Sequence, residues 1–332
     1  MAKATHNNFL PSFNLKLDLS EKWLLRFAAS KAMSRPDIGL LKNVATIAQE
    51  LPQQNNINDP RWISSGGTIT GVTPRYAGSS FNPFLKPITA WQFDVSLENY
   101  FANVGSFALT FFYKKFYNYI QYGDFERQVT NGGVTRTANV RGPGNGKGAE
   151  LQGFEIAYQR FLDFLPSPLD GLGFQANYTY IENEGISNAN LTSVGSDGGG
   201  TTTPGTVGTS LSPGSLEGLS KHAYNLVGMY EKGPLAVRLA YNWRSRYLVT
   251  AYDCCVYLPV WQKEAGFLDG TIRYAVTKNV ELNLRGSNLL NTITKLEQQV
   301  TDEDSPEGRI VRVPNAWFQN DRRFEFGARF KF

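Results

Sequence analysis

The sequence predicts an all-β fold, an antiparallel transmembrane β-barrel of which about eleven strands are present. Three observations lead to this prediction. Apolar and polar residues alternate along many segments, those segments reach the roughly 9 to 11 residues that a tilted strand needs to cross a bilayer, and short connectors alternate with long ones. Together they describe membrane-spanning strands with one apolar and one polar face.

The composition suits a barrel and excludes a helical membrane protein. Aromatic residues make up 13% of the 332 residues and glycine occupies 32 positions, while the mean hydropathy is only −0.32. No segment approaches the roughly 18 consecutive apolar residues of a transmembrane helix. The formal charge of +4 is spread along the chain, which argues against a nucleic-acid partner because nucleic-acid binders concentrate their cations.

The alternation begins near the N-terminus. In SFNLKLDL, Phe13 and Leu15 fall on one side and Lys16 on the other. A period of two residues is typical of a strand with one apolar and one polar face. Residues 12–19 are therefore the first predicted strand, and the less regular segment 23–34 is the second.

The same pattern recurs through the middle of the chain. It is regular in PLAVRLAYNWR, where Leu239 and Tyr241 alternate with Arg238 and Asn242. The predicted strands after the first two cover residues 91–103, 107–122, 147–163, 171–183, 219–231, 234–244, 266–276, 279–285 and 322–332.

The C-terminal segment RRFEFGARFKF has the most regular alternation. Apolar side chains occupy one side, and charged residues or glycine occupy the other. A terminal aromatic residue in such a strand resembles the signature that the barrel-assembly machinery reads, so we expect an assembly role in addition to lipid contact. The residues of this assembly signature are Phe324, Phe326, Phe330 and Phe332.

Connector lengths distinguish a membrane barrel from a soluble sandwich. The short connectors are 20–22, 103–106, 166–171, 231–234 and 276–279. The long ones are 35–89, 123–146, 184–217, 251–264 and 289–320. Short and long alternate throughout, as tight periplasmic turns and extended external loops do in outer-membrane barrels.

The strand number raises a question about the N-terminus. The count is odd, whereas single-chain bacterial barrels have even numbers and both termini in the periplasm. The first residues, MAKATHNNFLPSF, also lack the apolar segment of a signal peptide. We therefore expect residues 1–332 to be the C-terminal part of a larger barrel, with the N-terminal segments and the signal peptide absent.

Several motifs occur in an order that resembles one family. They are SRP at 34–36, NPFLKP at 82–87 followed by WQFDVSLENYF, FFYKKFYNYI at 111–120, LQGFEIAY at 151–158, NLLN at 288–291 and the terminal phenylalanine. This ordered set is similar to the C-terminal half of TonB-dependent outer-membrane receptors and covers essentially the whole chain. YNWRSRY at 241–247 is similar to members associated with oligosaccharide uptake.

The resemblance implies a function as well as a fold. It implies a 22-stranded barrel of the outer-membrane transporter type, filled by an N-terminal plug that contacts the TonB complex. This plug domain is expected to be absent from residues 1–332. The implied function is active import of a scarce nutrient across the Gram-negative outer membrane. The nutrient is expected to be an oligosaccharide, with a siderophore as the alternative. No catalytic residue, cofactor or metal site is predicted.

Aromatic residues in the long connectors are the candidates for ligand contact. An aromatic face offers apolar contact while its edge or polar tip stays in water, which suits stacking on a ligand ring. Anchoring at the membrane interface or packing within a loop is the competing interpretation. The candidates are Trp62, Tyr76, Tyr252, Tyr257, Trp261 and Trp317.

Cys254 and Cys255 are the only cysteines, and they are adjacent. In an oxidising compartment such a pair can form a disulfide. Adjacent Cα atoms are about 3.8 Å apart, so a vicinal bridge would be strained, and free thiols are the alternative.

Three other functions are compatible with parts of the pattern. An outer-membrane lipase has a similar strand number, and it would use His222 as base with Ser220 nearby, although the sequence provides no orienting third group. A passive porin or an autotransporter barrel would share the alternation, as would a soluble all-β binding domain.

Overall fold

The computed structural model describes residues 3–52, 61–101, 104–146, 148–184, 211, 214–251, 253, 258–303 and 306–332, with the backbone alone at 121–124. All structural statements below refer to this part of the chain. Within it, no helix has the length and apolar character needed to cross a membrane.

The described residues form strands joined by turns, with 3-10 helices at Ile38–Leu41 and Leu169–Gly171. The first strands are β1 (Ser12–Asp18), β2 (Trp23–Ser34), β3 (Ala45–Glu50), β4 (Trp62–Ser65), β5 (Thr68–Val72), β6 (Arg75–Ser80), β7 (Ile88–Tyr100), β8 (Gly105–Tyr117), β9 (Ile120–Asn131), β10 (Val134–Asn145) and β11 (Ala149–Phe161). They are followed by β12 (Leu172–Glu184), β13 (His222–Lys232), β14 (Leu235–Arg244), β15 (Tyr247–Thr250), β16 (Val260–Gln262), β17 (Ala265–Ala275), β18 (Val280–Ser287), β19 (Ile293–Gln299), β20 (Arg312–Gln319) and β21 (Arg323–Phe330).

The main structure is one sheet of eleven strands, here called the wall. Its order is β1-β2-β7-β8-β11-β12-β13-β14-β17-β18-β21, and every neighbouring pair is antiparallel. Each wall strand lies beside the next wall strand in the sequence, and β1 and β21 form the two edges. The predicted antiparallel partial barrel is confirmed, and so is its strand number.

The register divides the side chains of the wall into two faces, because directly paired residues of neighbouring strands point to the same side of a sheet. One row across the wall is Leu17, Leu25, Leu97, Leu109, Ile156, Tyr178, Tyr224 and Trp243. The adjacent row on the opposite face is Lys16, Arg26, Ser96, Thr110, Glu155, Thr179, Ala223 and Arg244. The apolar row defines the outward face and the polar row the lumen face.

The outward face has no protein cover in the described chain. Phe111 is 54% exposed and Phe326 is 74% exposed, and both belong to the continuous apolar surface. Soluble monomers rarely expose apolar patches larger than a few hundred Å². An outward apolar band of this kind is the lipid-facing surface of a membrane barrel.

Several polar groups on the lumen face pair with one another. Arg26 Nε lies 2.9 Å from Glu98 Oε1, and the Tyr100 hydroxyl donates to Glu98 Oε2 at 2.8 Å. The Asn225 amide donates to Asn177 Oδ1 at 2.6 Å. These contacts suit a polar interior, where charged groups keep access to water.

The ends of the wall differ in the length of their connections. At one end, Lys232 pairs with Leu235 across a two-residue turn in which Gly233 has φ of 58°. A positive φ at this position suits a tight hairpin and favours glycine. The long connectors all leave from the other end.

In their described parts, four of the five long connectors contain more regular structure than their prediction as loops allows. They form a four-stranded sheet β3-β6-β10-β9, a second sheet β15-β16-β19-β20 and the hairpin β4-β5. The predicted strand 107–122 is also divided, because Asn118 takes φ of 57° and ends β8 before β9 begins. The signal for the β9–β10 hairpin is Asn131-Gly132-Gly133, in which both glycines have positive φ.

Candidate functional site

The sheet β3-β6-β10-β9, here called the first loop sheet, lies at the external end of the wall and is attached to it by asparagines. Asn145 Nδ2 donates to the carbonyls of Lys86 and Asn118 at 3.0 and 2.9 Å, and its Oδ1 accepts from the Lys86 backbone N–H at 2.8 Å. Asn82 Nδ2 donates to the Pro143 carbonyl at 3.2 Å. The first loop sheet is therefore held to the ends of β7 and β8.

Arg127 on β9 joins several segments of this sheet through hydrogen bonds. Its guanidinium donates to the buried Ser80 hydroxyl, to the Phe81 carbonyl at 3.1 Å and to Asn43 Oδ1 at 2.6 Å. Hydrogen bonds from a charged group are among the stronger ones in proteins. Arg127 thus links β9 to the segments that flank β3 and β6.

An open cavity of about 610 Å³ lies in the first loop sheet and is lined by residues from β6, β9 and β10. Tyr76 lines it, and the Arg136 guanidinium lies 5.4 Å from the centroid of the Tyr76 ring. Arg75 lines the same cavity, and its Nε lies 3.8 Å from Glu50 Oε2. The remaining lining residues are Pro74, Phe125, Glu126, Thr137 and Asn139.

The chemistry of this cavity suits a ligand that carries oxygen atoms and some apolar surface. Arginine recognises oxyanions through a planar set of N–H donors, and tyrosine supplies a flat face with a polar tip. Tyr76 was among the predicted ligand residues, whereas Arg75 and Arg136 were not. The hairpin signal at 131–133 could have located Arg136 on a strand directed back towards β6.

The aromatic residues of the second loop sheet, β15-β16-β19-β20, are less suited to a ligand. Trp261 Nε1 donates to Oε1 of the buried Gln299 at 2.9 Å, and the Arg312 guanidinium lies 4.8 Å from the Trp261 ring centroid. Burial and the nearby Arg246 lower the pKa of Arg312. The interactions of Trp261 thus favour the packing interpretation, whereas Trp317 on β20 is 62% exposed.

The predicted ligand residues do not form one cluster. Trp62 lies in the hairpin β4-β5, Tyr76 in the first loop sheet, and Trp261 and Trp317 in the second. Tyr252 and Tyr257 lie outside the described residues. Ligand contact by all six remains a prediction.

Cys254 and Cys255 also lie outside the described residues, so their disulfide remains a prediction. Intact mass with and without reductant measures it directly. A mass increase on reduction is expected for a bridge, and an unchanged mass would identify free thiols.

The arrangement around His222 does not resemble a catalytic triad. His222 Nδ1 lies 2.8 Å from the Tyr178 hydroxyl on the outward face, and its ring packs 5.3 Å from that of Tyr180. Ser220 Oγ donates to the Ser245 carbonyl at 2.9 Å and accepts from Arg244 Nε at 2.8 Å. Each group has a structural partner, and among the described contacts none joins Ser220 to His222.

The C-terminal phenylalanines lie where their alternation predicted. Phe324, Phe326 and Phe330 belong to β21, and their exposed fractions are 63%, 74% and 60%. They continue the outward face through pairs such as Leu284 with Phe326. Recognition of these residues and Phe332 by the barrel-assembly machinery stays a prediction.

Comparisons with known proteins agree with this architecture. Residues 2–289 match the family model described as TonB dependent receptor-like, beta-barrel. No curated protein matches the chain.

Solved structures with the same fold include several receptors. The siderophore receptor PirA from Acinetobacter baumannii has a TM-score of 0.55 and 15% identity, over 98% of this chain and 41% of that one. A variant of the ferric enterobactin receptor PfeA from Pseudomonas aeruginosa has a TM-score of 0.59 and 16% identity, over 98% of this chain and 40% of that one. FpvAI in its complex with pyocin S2 has a TM-score of 0.54 and 13% identity, over 99% and 34%. The chain thus spans about two fifths of the length of the first two receptors.

Proposed function

Because this chain belongs to the family of TonB-dependent receptor-like β-barrels, we propose that it forms part of the wall of a receptor that imports a siderophore, binding it at the external loops. Import would be driven through TonB, which acts on a plug inside the complete barrel. The observation that best supports ligand capture is the cavity that joins Tyr76, Arg75 and Asn139 on the external side of the wall.

Family membership establishes the location and the general class of protein. TonB-dependent receptor barrels lie in the outer membrane of Gram-negative bacteria, and they are transport proteins without enzymatic activity. The lipase and the soluble binding domain are therefore wrong as interpretations of this chain. A passive porin or autotransporter barrel has no support from the family match.

The siderophore replaces the oligosaccharide as the proposed nutrient. Two of the similar receptors described above are siderophore or ferric enterobactin receptors by name, and nothing in the comparisons supports carbohydrate uptake. At 15 to 16% identity the likeness is one of fold, so it suggests the substrate class without assigning it. Arg75 in the cavity lining adds an independent argument, because the oxygen atoms of a ferric chelate can accept hydrogen bonds from a guanidinium group.

Uptake by cells tests the proposal. In a strain that lacks the receptor gene encoding this chain, iron-55 supplied on a panel of catecholate, hydroxamate and carboxylate siderophores is measured beside fluorescent maltooligosaccharide. We expect loss of uptake for at least one ferric siderophore, restoration by the complete gene and no change for the sugar. Loss of sugar uptake with every siderophore unaffected would contradict the proposal.

Tyr76, which lines the cavity, provides a more local prediction. Tyr76→Ala removes an aromatic face that the siderophore would contact, and an aromatic contact contributes about 0.5 to 1.5 kcal/mol beyond its buried area. We expect binding of the imported siderophore to weaken by about 2- to 13-fold, measured by equilibrium titration on the purified complete receptor.

A matched aromatic control separates this effect from general loop damage. Phe318 is exposed and lies in the other loop sheet, so Phe318→Ala changes an external aromatic residue without touching the cavity. Equal weakening by both substitutions would show that the Tyr76 cavity has no particular role.

A further inference from the structure

A second cavity, of about 370 Å³, lies on the lumen face of the wall near its external end. Its floor consists of two neighbouring cross-strand rows. One row contains Asn225, Asn242 and Phe267, and the other contains Ala223, Arg244 and Ala265. Residues 218–220 lie against these rows and close one side.

The lining departs from the polar pattern of the lumen. Ile181, Ala223, Ala265 and Phe267 all occupy lumen-facing register positions, and Leu219 adds a further apolar side chain. Elsewhere the same face carries ion pairs such as Arg26 with Glu98. The interior of a membrane barrel is normally polar, so a local apolar concavity needs a separate reason.

Arg244, the charged residue in the lining, already contacts other groups of the protein. Arg244 Nε donates to Ser220 Oγ at 2.8 Å, and its Nη2 donates to the Gly218 carbonyl at 2.6 Å. The same guanidinium lies 3.7 Å from the Tyr247 ring centroid. Arg244 therefore fixes residues 218–220 over the cavity, and the ligand it leaves room for is uncharged.

Two amides supply the polar part of the lining. The Asn225 amide nitrogen is occupied by Asn177, whereas Asn242 is exposed on the neighbouring strand. An amide offers both donor and acceptor atoms. Largely apolar pockets of a few hundred Å³ with a small number of polar groups are typical of small-molecule sites.

We propose that this cavity binds a compact, uncharged ring with a hydroxyl or carbonyl edge, the ring lying on Phe267 and the polar edge meeting the Asn242 amide. The site is distinct from the Tyr76 cavity, which is on the external loops. The idea that this cavity holds an aromatic part of the imported nutrient rests on the proposed function. The binding of an uncharged ring does not.

Fluorine NMR of the detergent-purified complete receptor tests the site with two probes, 4-fluorophenol and fluorobenzene. We expect saturable binding of 4-fluorophenol, with fluorobenzene weaker. Ala223→Leu places a larger side chain in the cavity, where it competes with the ring for the same space. The affinity for 4-fluorophenol should fall by about tenfold or more. Ala240→Leu, on the lumen face of β14 outside the cavity, should leave the affinity unchanged.

A further variant distinguishes loss of the binding site from misfolding. Asn242→Leu removes the polar partner but keeps an apolar site, so the preference should reverse in favour of fluorobenzene. No saturable binding to the unmodified receptor, equal effects of Ala223→Leu and Ala240→Leu, or an unchanged preference in Asn242→Leu would each overturn the assignment. Ring binding without siderophore uptake would refute only the proposed function, and uptake without ring binding would refute only this inference.

Discussion

Leu284→Arg in the complete receptor is expected to prevent stable insertion of the barrel. Leu284 lies on the outward face of β18, where it pairs with Ile272 on one side and Phe326 on the other. Arginine on the lipid face of a barrel costs about 2 to 4 kcal/mol near the middle of the bilayer. The measurement is the amount of heat-modifiable receptor in the outer-membrane fraction, which should fall severely.

The neighbouring residue supplies the control for this prediction. Asn283 lies on the lumen face and pairs with Arg273 and Gly327. Asn283→Arg adds the same side chain one residue away but directs it to the polar interior, so receptor levels should remain close to normal. Equal loss in both variants would indicate that residue 284 does not face hydrocarbon.

Arg127→Ala is expected to lower the free energy of local opening of the first loop sheet. The substitution removes the donors to Phe81 and Asn43 and the contact with buried Ser80. A hydrogen bond to a charged group contributes about 1.5 to 3 kcal/mol. Hydrogen exchange of amides in β3 and β6 should accelerate on the order of 100-fold, since protection reflects the free energy of local opening.

A substitution of the neighbouring residue on the same strand tests whether the effect is specific to the hydrogen bonds of Arg127. The Gln128 amide donates to Thr137 Oγ1 at 2.8 Å on the exposed side of β9. Gln128→Ala should leave the exchange of β3 and β6 nearly unchanged. If Arg127→Ala also leaves it unchanged while the wall strands remain protected, the assigned role of Arg127 is wrong.

The wall could be predicted from the sequence because its two environments differ so strongly. Lipid selects apolar residues on one side of every strand, and the aqueous interior selects polar ones on the other. Segment 23–34, the least regular pattern, still coincides with β2, because its neighbours β1 and β7 fix its register. Alternation therefore identified the strands even where single residues broke the rule.

The loop sheets could not be predicted in the same way. Their strands pack on one another instead of facing lipid, and buried positions such as Ala138 and Val140 lie among polar residues. Their pairing also joins distant segments, as in the parallel contact of β6 with β10. Periodicity within one segment contains no information about such a partner.

The candidate ligand residues could also be predicted only in part. Aromatic residues in long connectors were identifiable from composition, but their surroundings were not. Trp261 is engaged by Gln299 and Arg312, whereas Tyr76 faces an open cavity beside Arg136. Only the fold of the connectors distinguishes these two roles.

The most direct test concerns the direction of side chains along a single wall strand. Nitroxide labels placed one at a time at residues 281, 282, 283 and 284 of the receptor in bilayers report collision with oxygen, which concentrates in hydrocarbon, and with a water-soluble nickel chelate. We expect oxygen contact to be greatest at Leu282 and Leu284 and low at Glu281 and Asn283. Oxygen contact that is low at Leu282 and Leu284, as in a packed protein interior, would contradict an outward apolar face and the membrane barrel with it.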